Sequence, residues 1–467
     1  METPAHGHLI HILTKYYFGE IVAQTIRHLF KYDHASLRFL KATAPDIKSN
    51  DLKKSLLILV KFQLVDYVKT IKNLGQNFEY SLVSERVIVF YRIPHFINEL
   101  STHEDDSTVF ALKLLAESGM MSKSRLSQKL SEFFNKSQGS GGKLENADAV
   151  IGSLIIRKYL VEMSDNICIN IERLNRYHRD QEITKTVGRF YSGESKIQSI
   201  CNAIMELSLE NTSDEALFSA PVPLESLRNI LCPKHLASAN ELETIMNRLT
   251  SEFNYKFFVK SGTHPHKGPM FAVNIGLVID HLMKEHLCSM VTSKFGPRCC
   301  RVFRVLLQRG PLLLKQVEEF IMLPTKDVRE YSYMLIKAGL VRNRQVPKTL
   351  DNAPGKSVFI MSIDMDQVVF KMADLCCKTI CNLLIRHEFE LNCNESLLKK
   401  HKAVQELLLK NSCDEPAVEE DYFSNHELSQ LKKTLNNLDR LLLAKSQVDD
   451  TLFLTHVWLK LRPNISA

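Results

Sequence analysis

Leu59-Val60-Lys61-Phe62-Gln63-Leu64-Val65, Ile155-Ile156-Arg157-Lys158-Tyr159-Leu160-Val161 and Leu335-Ile336-Lys337-Ala338-Gly339-Leu340-Val341 share one pattern. Two apolar residues close a helix on its core, a basic residue faces outward, and two residues turn the chain into a strand that begins Leu-Val. Helical periodicity precedes each copy and a strand-like run follows it. Gly339 stands where a left-handed helix C-cap favours glycine. The same punctuation three times in one chain predicts tandem domains rather than one core.

Around the first copy, Phe18, Ile21, Val22, Thr25, Ile26, Leu29 and Phe30 recur at helical spacing and make one core-facing stripe. A short helix is expected over Ser36 to Thr43, ended by Pro45. Ser49 or Asn50 is placed to cap a third helix, Asp51 to Phe62, packed through Leu52, Leu56, Leu59 and Val60. Leu64 to Val68, a turn holding Gly75 and Asn77, and Phe78 to Val83 then read as a hairpin. Three helices followed by a hairpin is the winged-helix order. A diverged copy is expected between the second and the last, with helices at Glu194 to Leu209, Leu224 to Leu231 and Ala239 to Leu249. Its strands Tyr255 to Lys260 and Met270 to Val273 flank a wing tip at Ser261 to Pro269. The Gly/Ser-rich stretch Asn135 to Asn146 reads as a loop inside the second unit.

After Asp364 the strand signals stop and Val368 to Leu409 reads as helix, broken by the acidic, proline-containing Cys413 to Asp421. Leu428, Leu431, Leu435, Leu438 and Leu442 then alternate steps of three and four, which is a coiled-coil seam. The expected fold is mainly α with small β-hairpins: four tandem, extended winged-helix domains at 1–100, 101–172, 173–275 and 276–365, and a C-terminal antiparallel coiled-coil hairpin at 366–467.

Composition agrees with several folded units: 467 residues, 45% hydrophobic and 24% charged. Met1 to Lys15 lacks the basic patch and apolar core of a signal peptide, and no apolar run has the roughly 18 residues needed to span a bilayer, so neither secretion nor a membrane is expected. Eleven cysteines, scattered and sometimes adjacent, do not suit a disulfide framework and point to a reducing compartment. The net charge of +7 is modest, but its distribution is uneven. Lys294 to Leu350 holds twelve Lys and Arg against four acidic residues, and the remainder is about neutral.

Winged helices commonly place the third helix in a major groove and the wing against phosphate, through Lys and Arg that displace counterions. In the last unit Lys326, Arg329, Lys337, Arg342, Arg344 and Lys348 form the candidate nucleic-acid-binding set, with Arg298, Arg301 and Arg304 upstream; an acidic protein surface is the competing ligand. In the first unit the candidates are Lys53, Lys54 and Lys61, with Lys48, Lys69 and Lys72 beside them. There Asp46, Asp51 and Asp66 interleave, so a protein-binding face competes with DNA. The third helices lack an evident set of Asn, Gln and Arg for reading base edges, which predicts phosphate or shape readout without sequence specificity.

Catalytic signatures fail on their spacing. Gly139-Ser140-Gly141-Gly142-Lys143 is followed by Leu144 where a P-loop needs Ser or Thr. His387-Glu388 lacks the second His of a zinc-protease helix, Cys377 with Cys381 lacks a partner pair, and His264 and His266 read as wing-tip residues. No cofactor, metal or active site is expected.

Several local stretches carry a family resemblance: Phe18-Gly19-Glu20-Ile21-Val22, Tyr177-His178-Arg179-Asp180-Gln181, Arg298-Cys299-Cys300-Arg301-Val302-Phe303-Arg304, Gln345-Val346-Pro347-Lys348-Thr349 with Ala353-Pro354, and Gln447-Val448-Asp449-Asp450-Thr451. With the order of parts, they resemble the TFIIE alpha-like, winged-helix and coiled-coil subunit of the RNA polymerase III initiation heterotrimer, over almost the whole chain. The resemblance implies a nuclear, non-catalytic polymerase subunit in a three-subunit subcomplex on the clamp of the largest subunit, with two companion subunits. It also implies recruitment to promoters through TFIIIB and help in opening DNA. Many family members carry a long charged insertion after the second wing; here Ile167-Cys168-Ile169-Asn170 runs almost directly into Arg173-Leu174-Asn175, so whatever that insertion does is not expected of this chain. Two other readings use the same parts. A free winged-helix regulator would need base-reading side chains and dimer symmetry; a scaffold subunit without nucleic acid would carry a helical array before a single winged helix.

Overall fold

The computed structural model describes residues 3–32, 34–72, 75–102, 105–137, 147–163, 165–191, 195–231, 239–251, 256–265, 267–347, 357–411 and 422–465. It divides into two compact units, Met1–Gln181 and Glu182–Ala467.

The first unit opens with a helix that the sequence pattern does not announce, α1 (Pro4–Phe18). The Thr3 hydroxyl accepts the His6 N–H at 3.2 Å, Pro4 sits in the first turn, and Leu9, Ile10 and Leu13 are buried. α2 (Glu20–Lys31) follows across Gly19, whose φ is +87°. Val22, Ala23, Thr25, Ile26 and Leu29 face the core, but Ile21 is 47% exposed, contrary to the expected stripe. Then come β1 (Ala35–Ser36), α3 (Leu37–Thr43), α4 (Ser49–Lys61), β2 (Val65–Lys72) and β3 (Gly75–Leu82). The expected cap of α4 is corrected: Lys48 holds the N-cap position without a side-chain bond, and Ser49 and Asn50 already belong to the first turn.

The first unit continues with α5 (Ser84–Leu100), α6 (Asp106–Ser118), β4 (Met121–Ser122), α7 (Lys123–Ser137), α8 (Ala147–Ile156), β5 (Leu160–Met163) and β6 (Asn166–Ile169). α9 (Ile171–Phe190) begins directly after Asn170, whose Oδ1 accepts the Arg173 N–H at 3.2 Å, so the charged insertion is absent as read. Residues 138–146 of the Gly/Ser-rich stretch, including Gly139 to Lys143, lie outside the described residues, and 135–137 end α7.

The repeated motif has one backbone geometry. Leu64 N–H donates to Leu59 O, Tyr159 N–H to Leu154 O and Leu340 N–H to Leu335 O, while Gln63, Lys158 and Gly339 have φ of 59°, 61° and 67°. These are three Schellman caps, each a left-handed residue joining third helix to wing. The alignment is thereby corrected by one residue in the second copy: Tyr159-Leu160, not Leu160-Val161, corresponds to Leu64-Val65 and Leu340-Val341.

The second unit contains α10 (Ser195–Leu207), β7 (Val222–Pro223), α11 (Leu224–Leu231), α12 (Ala239–Ser251), β8 (Phe258–His264) and β9 (Gly268–Val273). The expected wing tip is shorter than read, because Thr263 pairs with Pro269 and His264 with Gly268; His266 lies outside the described residues. Next are α13 (Ile275–Phe295), α14 (Pro297–Arg309), β10 (Leu312–Leu313), α15 (Leu314–Ile321), α16 (Thr325–Lys337), β11 (Arg342–Pro347) and β12 (Ser357–Ser362). Among the described residues there are four sheets, all antiparallel and three-stranded, in the orders β1-β3-β2, β4-β6-β5, β7-β9-β8 and β10-β12-β11. The two-residue strand before each second helix closes the hairpin into a sheet.

The chain ends in α17 (Met365–Cys393), α18 (Glu395–Asn411) and α19 (Asn425–Ile465). The expected single helix from Val368 to Leu409 is interrupted at Asn394, and 412–421, which include the whole of the expected acidic break, lie outside the described residues. α17 and α18 run opposite to α19: Asp366 meets Arg462, and Lys400 meets Glu427 at 3.1 Å. Leu431 and Leu438 are buried as read, with Thr434 between them, but Leu442 is 42% exposed. From there the buried stripe continues through Asp449, Leu452 and Thr455, as α19 also packs on α13, where His286 Nδ1 lies 3.3 Å from Thr451 Oγ1 and the Trp458 indole donates to Asp280 at 3.3 Å. The winged helices are mainly helical domains with small sheets, and no helix among the described residues is long and apolar enough to cross a membrane.

Candidate nucleic-acid interface

The basic surface of the last winged helix rests on an apolar frame. Cys299, Val302, Phe303 and Leu306 of α14, Val317 and Ile321 of α15, and Val328 and Leu335 of α16 are all buried. That leaves the polar face of each helix to solvent. Two α14 cations serve the frame itself: Arg301 donates to Ile321 O at 3.1 Å and so closes the end of α15, and Arg309 lies 4.7 Å over the Phe320 ring.

The candidates separate on their contacts. Lys326, Lys337 and Arg344 are exposed and have no ion pair among the described residues. The Arg329 side chain is 69% exposed and lies 3.7 Å from Glu318, a pairing weak enough to be given up to a phosphate. Arg342 is half-buried: its Nη1 meets Asp364 at 2.8 Å and its Nε donates to Gln367 Oε1 at 2.8 Å. It fastens the wing to the first turn of α17. Lys348 lies outside the described residues. Lys326, Arg329, Tyr333 and Lys337 fall on one side of α16, with Tyr333 67% exposed. A search for cations alone misses Tyr333; an aromatic at a third-helix position spaced seven and four from Lys326 and Lys337 is the signal that finds it.

In the first unit Lys53, Lys54 and Lys61 are exposed on α4 with no ion pair among the described residues, while Asp66 is taken by Arg86 at 2.6 Å. The two basic sets belong to different units.

The buried thiols are core, not chemistry. Burial pushes Cys299 and Cys381 up to about 11 and Cys376 up to about 12, so all three stay protonated. An open groove of about 790 Å³ between α13 and α14 is lined by side chains that contact each other, Lys284 with Asp280 at 2.6 Å and His281 with Glu285 at 3.4 Å. Among the described residues no group of three or more His, Cys, Asp and Glu could hold a metal ion.

Comparison with known proteins agrees with this architecture. Residues 8–70 match the RNA polymerase III subunit RPC82 helix-turn-helix domain, and residues 287–363 match the POLR3C C-terminal winged-helix domain. The chain is 23% identical to the human DNA-directed RNA polymerase III subunit RPC3, over 98% of this chain and 99% of that protein. It is 28% identical to RPC3 of Danio rerio over 62% of this chain and 54% of that protein, and 24% identical to rpc3 of Dictyostelium discoideum over 28% and 20%. With a helix-turn-helix model matched at 8–70, a winged-helix model matched at 287–363 and the human relative aligned over 98% of the chain, the protein is similar to the RPC3 subunits of DNA-directed RNA polymerase III.

Proposed function

We propose that this nuclear subunit carries four tandem winged helices and a C-terminal coiled-coil hairpin, with the boundaries read from the sequence, and that it helps recruit the polymerase to promoters and open DNA. The hairpin docks the chain on the clamp beside two companion subunits, and TFIIIB is met through the heterotrimer. Lys326, Arg329, Lys337 and Arg344 contact DNA phosphates. What carries this reading is the exposure of those cations around α16 and its wing. The α16 face displays no Asn or Gln and one Arg, Arg329, which is no set of base-reading side chains, so contact is without sequence specificity. A surface that holds strand-separated DNA more tightly than duplex shifts the opening equilibrium by that difference alone, and no nucleotide chemistry is needed.

The test is a salt titration of DNA binding by the full chain and by a Lys326→Glu, Lys337→Glu, Arg344→Glu variant, on a duplex and on the same duplex with a central unpaired bubble. Each phosphate that the protein no longer neutralises lowers the slope of log K against log salt by about 1. A slope reduced by about 2 to 3, with tighter binding to the bubble by the unaltered chain, is the expected result; unchanged slopes would remove DNA from this surface.

A further inference from the structure

The outward face of α4 combines charge and apolar exposure in a way that the DNA reading of the last winged helix does not use. At roughly 100° per residue, Asn50, Lys53, Lys54, Leu57 and Lys61 fall within an arc of about 100°. All five are exposed, Leu57 by 69%, whereas Leu52, Leu56 and Leu59 on the opposite side are at most 3% exposed. No acidic residue lies in that arc. Asp51 points to the flank, and Asp66, the acid of the adjoining strand, is held by Arg86. Three uncompensated ammonium groups therefore surround one exposed leucine.

The surroundings of α4 decide what fits there. Its C-terminal turn abuts the second winged helix: Met120 N–H donates to Lys61 O at 3.1 Å, and a Cβ on Gly119 would lie 2.7 Å from that oxygen. A duplex taking α4 along its major groove would have to admit this turn as well. A single polypeptide segment needs only the strip from Asn50 to Lys61, about 16 Å long. Phosphates would satisfy the lysines and leave Leu57 in water, whereas a protein partner with an apolar centre and charged rim satisfies both.

We propose that this face docks an acidic amphipathic helix of a partner polypeptide, whose apolar residue covers Leu57 and whose carboxylates meet Lys53, Lys54 and Lys61. The proposal is independent of DNA contact by α16.

It is tested with the full chain at low salt and two fluorescent probes: a 20-residue helical peptide with glutamates flanking one leucine stripe, and a 20-nucleotide DNA in single- and double-stranded form. Binding of the peptide, weakened about tenfold in Leu57→Ala with DNA affinity unchanged in that variant, and weakened about tenfold in Lys53→Glu with Lys54→Glu, is the expected result. The altered side chains are exposed, and circular dichroism of each variant checks that the fold is kept. Failure of the peptide to bind, equal binding by Leu57→Ala, or equal peptide binding by the lysine variant would each overturn the proposal.

Discussion

Replacing Gly339 with alanine should open the junction between α16 and its wing while leaving the other junctions intact. Gly339 sits at φ 67°, with its N–H on Ile336 O at 2.8 Å and its carbonyl accepting from Lys371 Nζ at 3.0 Å. A Cβ there costs about 1–2 kcal/mol of left-handed strain and would collide with the Lys371 ammonium, which must leave both the Gly339 and the Ala338 carbonyls. The reduced freedom of the unfolded chain returns about 0.4–1 kcal/mol. The net is a local loss of about 1 kcal/mol. Lys158→Gly relieves the same strain at the second junction and gives up the same unfolded-state advantage, so Tyr159 should be unchanged or slightly better protected. Hydrogen exchange of the full chain, followed by mass spectrometry, reads each site: about fivefold faster exchange at Leu340 in Gly339→Ala, and exchange at Tyr159 no faster in Lys158→Gly. Unaltered exchange at Leu340, or faster exchange at Tyr159, would refute the equivalence of these caps.

Three further outcomes follow from the packing. Gly119→Ala, at φ 73° and against Lys61 O, should cost roughly 1–3 kcal/mol and raise proteolysis at the 119–120 turn. Burial holds the Lys445 ammonium below its usual range, with the attraction of Asp449 pulling the other way. Asp449→Ala should therefore destabilise the α17–α19 pair by about 1–3 kcal/mol, whereas the Lys445→Leu, Asp449→Leu double replacement should be near neutral in thermal unfolding. Burial lowers His286 from its ordinary value of 6.5, so the folded state resists a proton that the unfolded chain takes up. Stability is then full above about pH 6.5 and falls as pH drops below it, and a His286→Asn variant should show a flatter melting profile between about pH 7.5 and 5.5.

The parts of this fold legible in the sequence are those where local geometry and composition coincide. The third helices and wings are readable because apolar spacing, a basic residue and a cap fall together, and Gly339 announces its left-handed backbone. Gln63 and Lys158 hold the same conformation without glycine, which is why the second copy aligns one residue off by sequence pattern. The two-residue strands β1, β4, β7 and β10 have no periodicity to read; they exist through pairing with distant strands such as β3 and β12. Along α19 a leucine pattern marks the seam until Leu442, then fails because Lys445 and Asp449 look like surface residues and are turned inward by α13 and α17. In the candidate site, Arg342 and Arg344 are indistinguishable in sequence. Only the distance to Asp364 separates a residue that fastens the wing from one that stays exposed.

Membership of the polymerase is tested most directly by purifying the tagged full-length chain from nuclear extract at moderate salt and identifying its stoichiometric partners by mass spectrometry. The catalytic subunits of RNA polymerase III, together with two smaller companions in equal amount, are the expected recovery; the chain alone, or with an unrelated assembly, would contradict it.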